Sequence, residues 1–182
     1  MSPGAAAFYF DLASPRSYLV AERILHELPG PAEWRPVLAS ALPGPAEETG
    51  ELAAVAAELG LQPLRMPDPF PFDSSLAMRV ATYAKSIGRT VPFAQAAFRQ
   101  AYAGGHSLQD TDYVLISAAA CEMHPAAVLR GAELRSVREQ LAAATSSAAR
   151  AGVRGVPALT VGDVVVEGDG LLQRAAALMA GA

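Results

Sequence analysis

The 182-residue sequence predicts an α/β protein in which a run of helices separates two strand-containing parts. Three observations predict this class. The hydrophobic fraction of 52% is enough for a full core and excludes a disordered chain. Short apolar runs typical of strands occur near both ends of the chain, whereas the middle carries only the helical period. The length suits one domain, or one domain with a sizeable insert.

The first forty residues predict a strand–helix–strand unit. Residues 7–12 are typical of a short buried strand that ends at an acidic residue. Ser14 and Pro15 indicate a helix start, with serine at the N-cap and proline at the first helical position. One helix is predicted from there to Pro29. A second strand at 33–38 then favours a parallel pair with the first.

The middle of the chain predicts helices alone, and we assign residues 45–131 to an all-α insertion subdomain. The flanking parts, 1–44 and 132–182, form the strand-containing domain. Within the insert, helices are expected at about 47–60, 74–87, 91–103, 110–122 and 125–131. After it, the pattern predicts a helix at about 133–151, strands at 158–161 and 164–167 joined by a tight turn, and a last helix at about 170–180.

Composition excludes several function classes. The net charge is −4 and no segment carries a basic run, which argues against nucleic acid or an anionic membrane as partner. Residues 1–7 do not resemble a secretory peptide and no apolar run could span a bilayer, so we expect a cytoplasmic protein with a small-molecule substrate. The single cysteine, Cys121, rules out an internal disulfide and a CxxC pair. No metal site is expected, and homodimer formation stays open.

Three motifs in order carry a family resemblance. They are Phe8-Tyr9-Phe10-Asp11 with Ser14-Pro15-Arg16-Ser17-Tyr18-Leu19, Pro67-Asp68-Pro69-Phe70-Pro71, and Gly152-Val153-Arg154-Gly155-Val156-Pro157 followed by Gly168-Asp169. Together with the element order, they resemble the DsbA-like 2-hydroxychromene-2-carboxylate isomerases and their kappa-class glutathione transferase relatives. The resemblance implies a thioredoxin-like (DsbA-like) fold with an all-α insertion subdomain.

Ser14 is the candidate catalytic residue. A helix N-terminus presents unpaired N–H groups and about half a positive charge, and redox relatives place a low-pKa cysteine there. A serine brings no thiol, but it can hydrogen-bond the sulfur of a bound one. The resemblance implies this role for Ser14, with glutathione or another low-molecular-weight thiol as cofactor. The local residues alone leave a simple helix cap as the alternative.

The resemblance also implies a set of cofactor contacts. Pro157 would follow a cis peptide bond, and the backbone of Val156 would pair with the cysteinyl part of the thiol. Gly168 and Asp169 precede the last helix, and Asp169 would contact the ammonium group of a γ-glutamyl end. Glu167 departs from the family pattern, and its carboxylate is expected to repel an acidic ligand.

Arg16, Ser17 and Phe70 are the candidate substrate contacts. Arg16 stands where the family usually has an aromatic residue, and it would attract a thiolate or a substrate carboxylate. A solvated Arg16 is an equal alternative, because arginine side chains are mostly exposed. The pair Glu47-Glu48 is interpreted as a solvated helix start.

The implied reaction is a thiol-dependent isomerisation of an electrophilic, aromatic-derived acid through thiolate addition and elimination. Conjugation of the glutathione transferase type would use the same site. A non-catalytic thioredoxin-fold binding protein is the third possibility, and a cleft that is closed or blocked by Glu167 would favour it. Disulfide oxidoreductase activity is disfavoured because the sequence has no CxxC motif.

Overall fold

The computed structural model describes residues 5–181, and its four strands form one mixed sheet. The strands are β1 (Ala6–Phe10), β2 (Ala32–Pro36), β3 (Ala158–Val161) and β4 (Val164–Glu167), in the order β2-β1-β3-β4. β1 is parallel to β2 and antiparallel to β3, and β3 and β4 form a hairpin. The α/β class, the parallel pair and the hairpin are confirmed. Residues 1–4, on which part of the expectation about a secretory peptide depends, and residue 182 lie outside the described residues.

Helices surround this sheet. Between β1 and β2 lie two short helices, and a turn of 3-10 helix follows β2 at Ala39–Ala41. The helices of the described residues are α1 (Pro15–Ala21), α2 (Ile24–Glu27), α3 (Leu52–Glu58), α4 (Ser75–Ser86), α5 (Thr90–Tyr102), α6 (Thr111–Ala119), α7 (Pro125–Glu133), α8 (Arg135–Arg150) and α9 (Leu171–Ala180).

The first predicted helix is shorter than the sequence suggested. The prediction of one continuous helix to Pro29 is wrong, because α1 ends at Ala21 and α2 begins only at Ile24. Each of the two intervening residues forms an ion pair. Glu22 binds Arg99 of α5 at 2.8 Å, and Arg23 binds Glu27 at 2.6 Å. The Glu22–Arg99 pair therefore coincides with the break, whereas the Arg23–Glu27 pair spans α2.

The segment after β2 also differs from the prediction. β2 ends at Pro36, and the Leu38 N–H donates to the Thr145 hydroxyl of α8 instead of extending a strand. The helix predicted from residue 47 begins at Leu52. Residues 42–51 form a loop, which we call the cleft loop, and tertiary contacts hold it outside helical geometry. One of them is a hydrogen bond from Gly44 N–H to the Arg154 carbonyl at 2.6 Å.

A cluster of aromatic side chains joins the sheet to the helices. The rings come from β1, β2, α1 and α5, and contacting ring centroids lie between 5.1 and 6.4 Å apart. The cluster therefore makes one core from the sheet and the helical segment. Its members, all buried, are Phe8, Phe10, Tyr18, Trp34, Phe98 and Tyr102.

Side chains of the helical segment hold the connection between β1 and α1. The Leu12 N–H donates to Met78 Sδ of α4 at 3.2 Å. The hydroxyl of Tyr102 in α5 donates to the Leu12 carbonyl at 3.1 Å. Leu12 is fully buried, so both backbone groups need these partners. Helices α4 and α5 thus fix the chain two residues before Ser14.

Tyr102→Phe tests this connection. The substitution keeps the ring in the core but leaves the buried Leu12 carbonyl without the hydroxyl, so we expect a loss of about 1–2 kcal/mol in the free energy of unfolding. Urea unfolding measures it. Tyr113→Phe, which preserves the ring stacked on His106, is the control and should change stability little. Equal stability of Tyr102→Phe and the wild type would contradict the assigned bond.

Candidate active site

A cleft of about 1230 Å³ opens where α1, the cleft loop, the segment before β3 and the start of α9 meet. The sequence-predicted residues that line it come from four separate parts of the chain. They are Ser14, Arg16, Phe70, Val156, Pro157, Gly168 and Asp169. The fold therefore brings seven of the eight predicted site residues to one cavity.

Ser14 lies at the N-cap of α1, as the Ser-Pro pair predicts. Its Oγ accepts a hydrogen bond from the Ser17 N–H at 3.0 Å, and its own N–H donates to the Asp11 carbonyl at 3.0 Å. Ser14 is only 3% exposed, yet it belongs to the cleft lining. The hydroxyl is therefore held in one position, and a ligand must enter the cleft to reach it.

The carboxyl group of Asp11 organises the turn before Ser14. Its two oxygens accept hydrogen bonds from the Ala13 and Ala39 N–H groups, both at 2.9 Å. Burial raises the pKa of Asp11, although these two bonds and the Ser74 side chain act in the opposite direction. This residue joins the end of β1, the start of α1 and the turn after β2.

The Val156–Pro157 peptide bond is cis, as the family resemblance implies. Asp68–Pro69 and Phe70–Pro71 are also cis. Within the described residues, the backbone N–H and C=O of Val156 make no hydrogen bond. Both groups therefore stay available to a ligand in the cleft.

Glu167 does not block the cleft in the way that its departure from the family pattern suggested. Its Oε1 accepts hydrogen bonds from the Arg154 N–H at 2.7 Å and the Gly155 N–H at 3.2 Å. These bonds direct the carboxylate toward the backbone of the segment before β3. A partnered carboxylate repels an incoming anion less than a free one, because the two N–H dipoles offset part of its charge.

Arg16 connects two walls of the cleft. Its Nε donates to the Glu48 carbonyl at 3.2 Å, and its Nη1 lies 4.0 Å from Oδ1 of Asp169. The Asp169 side chain is fully exposed, so this long ion pair is weak. Arg16 can therefore exchange Asp169 for an anionic ligand at little cost.

Glu47 is the site residue that sequence reasoning missed. The interpretation as a solvated helix start is wrong: Glu47 lies in the cleft loop, half-buried, and its Oε1 accepts the Arg16 N–H at 2.7 Å. Burial raises the pKa of Glu47, opposed by the Ser14 hydroxyl and by Arg16, and the charge of Asp11 adds to the increase. No local sequence signal indicates this position, because the contact joins residues that are 31 apart in the chain.

Ser17 is the predicted site residue that the fold does not bring to the cleft. It is completely buried, and its hydroxyl has no hydrogen-bond partner among the described residues. Ser17 lies three positions after the N-cap, and its backbone N–H donates a hydrogen bond to Ser14 Oγ. The candidate role in substrate contact is therefore corrected to a role in holding Ser14.

The profile of the DSBA-like thioredoxin domain matches residues 6–178, which is nearly the whole chain. The chain belongs to this family. A comparison with curated proteins found no significant match. Among the described residues, no helix of this DSBA-like domain is both long and apolar enough to cross a membrane.

Solved structures share the fold over most of their lengths. A 2-hydroxychromene-2-carboxylate isomerase has a TM-score of 0.85 and 18% identity, covering 97% of this chain and 95% of that one. A probable DsbA oxidoreductase from Streptomyces coelicolor has a TM-score of 0.80 and 20% identity, covering 98% and 89%. The cytosolic disulfide reductase DsbM from Pseudomonas aeruginosa, solved with GSH, has a TM-score of 0.71 and 13% identity, covering 97% and 96%. The predicted DsbA-like thioredoxin fold is confirmed.

The raised pKa of Glu47 predicts a pH dependence of stability. An unfolded glutamate titrates at about pH 4, so the folded protein keeps the Glu47 proton at pH values where the unfolded chain has lost it. The free energy of unfolding therefore falls as pH rises from about 4 through the folded pKa of Glu47. In Glu47→Gln, whose amide oxygen can still accept the Arg16 N–H, we expect a smaller fall.

Urea unfolding over this pH range measures the difference. Glu48→Gln is the control, because it removes the same charge from an exposed neighbouring position. It should keep the wild-type pH dependence. An identical pH dependence in Glu47→Gln and the wild type would show that the pKa of Glu47 is not raised.

Proposed function

We propose that the protein is a thiol-dependent isomerase that resembles 2-hydroxychromene-2-carboxylate isomerase and acts on an electrophilic, aromatic-derived acid. One observation carries the proposal: a serine, Ser14, shares the cleft with the backbone N–H and C=O of Val156, which have no hydrogen-bond partner among the described residues. The one cysteine of the chain, Cys121, is buried and does not line the cleft. The reactive sulfur must therefore arrive with a ligand.

The residues of the cleft fit a small peptide thiol. Ser14 Oγ offers a hydroxyl to the sulfur, and Val156 offers one backbone donor and one backbone acceptor to the cysteinyl unit. Asp169, fully exposed, offers a carboxylate to an ammonium group. A cleft of about 1230 Å³ leaves room for a second molecule beside the thiol. Because the similar DsbM structure contains GSH, glutathione is the first thiol to test.

When bound, the thiol supplies the nucleophilic sulfur that adds to an unsaturated carbon and leaves again after a bond has rotated. The chain's own residues orient the reactants. Ser14 hydrogen-bonds the sulfur and stabilises its ionised form. Arg16 attracts the substrate carboxylate in exchange for its weak contact with Asp169. Phe70 provides an apolar surface for the aromatic ring.

Two alternatives use the same cleft. Conjugation of the thiol to the electrophile would need the same contacts, but it consumes the thiol, whereas isomerisation returns it. A non-catalytic binding protein would be favoured by a closed or blocked cleft. The open cavity and the engagement of Glu167 by two backbone N–H groups support a catalytic site instead.

The experiment combines binding with activity. A thermal-shift screen across glutathione and other cellular thiols identifies the cofactor, and the ultraviolet absorbance of 2-hydroxychromene-2-carboxylate follows the isomerisation. Ser14→Ala should lower the thiol-dependent rate about 10- to 100-fold, because a hydrogen bond to a charged group is worth about 1.5–3 kcal/mol. Ser40→Ala, at an exposed serine of the same cleft, should leave the rate unchanged.

Ser14→Ala also removes a helix cap, which costs about 1 kcal/mol, so its folding is checked by urea unfolding. A folded Ser14→Ala variant with full activity would contradict the assigned role of Ser14. Absence of binding by every thiol would contradict the proposed function as a whole.

A disulfide-reduction assay tests the rival function. With one buried cysteine, the chain cannot cycle between a dithiol and an internal disulfide, so we expect no reduction of insulin by dithiothreitol above the uncatalysed rate. The measurement is the turbidity of the released insulin B chain. Catalysis that persists in Cys121→Ser would overturn the argument from cysteine content.

A further inference from the structure

Glu47 is a half-buried carboxyl group beside Ser14 to which the proposed function gives no role. Two contacts fix its position. Its Oε1 accepts the Arg16 N–H at 2.7 Å, and the carbonyl of the next residue, Glu48, accepts Arg16 Nε at 3.2 Å. The cleft loop is thus attached to the first turn of α1. The Glu47 carboxyl and the Ser14 hydroxyl accept successive backbone N–H groups of that turn, from Arg16 and Ser17, and both residues line the cleft.

The Ser14 hydroxyl has a limited capacity for hydrogen bonds. It carries one hydrogen and two lone pairs. The Ser17 N–H occupies one lone pair. When Glu47 is ionised, its carboxylate, which is bonded to the adjacent N–H of the same turn, is the acceptor that we assign to the hydroxyl hydrogen. The second lone pair is then the one part of Ser14 that remains for a ligand, and it can accept a hydrogen bond from a thiol S–H.

We propose that Glu47 is a positioning residue that takes up, through Ser14, the proton of the bound thiol; this rests on the proposed function. In this step, Ser14 Oγ accepts the proton from the sulfur while it passes its own hydrogen to the Glu47 carboxylate. The S–H bond breaks and its electron pair stays on the sulfur. An O–H bond forms at Glu47, and Ser14 remains a neutral hydroxyl that now donates to the sulfur.

The electrostatics of the site favour this transfer over release of the proton to water. Three charged or titratable groups face Glu47: Asp11 at the end of β1, Arg16 in α1 and Tyr102 in α5. Ionising a thiol beside the Glu47 carboxylate would add a second negative charge to a partly buried site. Transfer to Glu47 leaves the total charge unchanged. Burial raises the pKa of Tyr102 well above its usual value, so Tyr102 stays neutral.

The test measures two quantities when glutathione binds: the amount of thiolate formed and the number of protons released to the solvent. Ultraviolet absorbance measures the thiolate formed, and calorimetry in buffers of different ionisation enthalpy measures the protons released. S-methylglutathione, which cannot ionise at sulfur, provides the blank. The measurements are made above the pH at which the unfolding experiment places the titration of Glu47. The wild type should form thiolate and release close to no protons.

Two variants test which residue takes up the proton of the bound thiol. Glu47→Gln, which cannot take up a proton, should either form no thiolate or release about one proton for each thiolate formed. Glu48→Gln, the matched control, should behave like the wild type. Release of about one proton per thiolate by the wild type, or retention of the proton by Glu47→Gln, would overturn the role of Glu47.

These outcomes are distinct from failure of the proposed function. If glutathione binds and ionises but the proton is retained elsewhere, the role of Glu47 is wrong and the thiol-dependent function stands. If neither glutathione nor another thiol binds, or if the bound thiol does not ionise, the role of Glu47 and the thiol-dependent function are both wrong.

Discussion

The buried carboxyl group of Asp11 fixes the turn on which the whole site is built. A buried carboxyl group is costly unless it is hydrogen-bonded, and here the backbone N–H groups of Ala13 and Ala39 provide the bonds. Because these partners belong to different parts of the chain, satisfying one group brings together the end of β1, the start of α1 and the turn after β2. Ser14, whose N–H binds the Asp11 carbonyl, takes its place from this arrangement.

The DSBA-like fold and the chain's own substitutions contribute different parts of the site. The fold provides the strand-to-helix turn and the segment before β3, where the N–H and C=O of Val156 have no partner among the described residues. The chain adds Ser14 at the N-cap of α1, and Glu47 on a loop bonded to the first turn of that helix. Under the proposed function, the sulfur arrives with a ligand, since a chain with one buried cysteine has no thiol pair for disulfide exchange.

Local sequence patterns predicted the helices and strands. Long-range polar contacts account for the places where the structure departs from those predictions. The Ser14-Pro15 helix start and the hairpin follow from residues that are neighbours in sequence, whereas the cis bond before Pro157 was implied by the family resemblance. The position of Glu47 depends on Arg16, 31 residues away, and the break after α1 coincides with the pair between Glu22 and Arg99, 77 residues apart. Periodicity cannot detect such pairs. Apolar spacing predicted the helices and strands, and the family resemblance implied most of the predicted residues that line the cleft, but neither indicated the carboxyl group of Glu47.

A crystal structure with glutathione bound tests the central claim most directly, namely that this turn presents Ser14 to the sulfur of an external thiol. The account predicts the sulfur within hydrogen-bonding distance of Ser14 Oγ and the cysteinyl backbone paired with the N–H and C=O of Val156. Glutathione bound outside the cleft, or bound in it with the sulfur directed away from Ser14, would contradict the account.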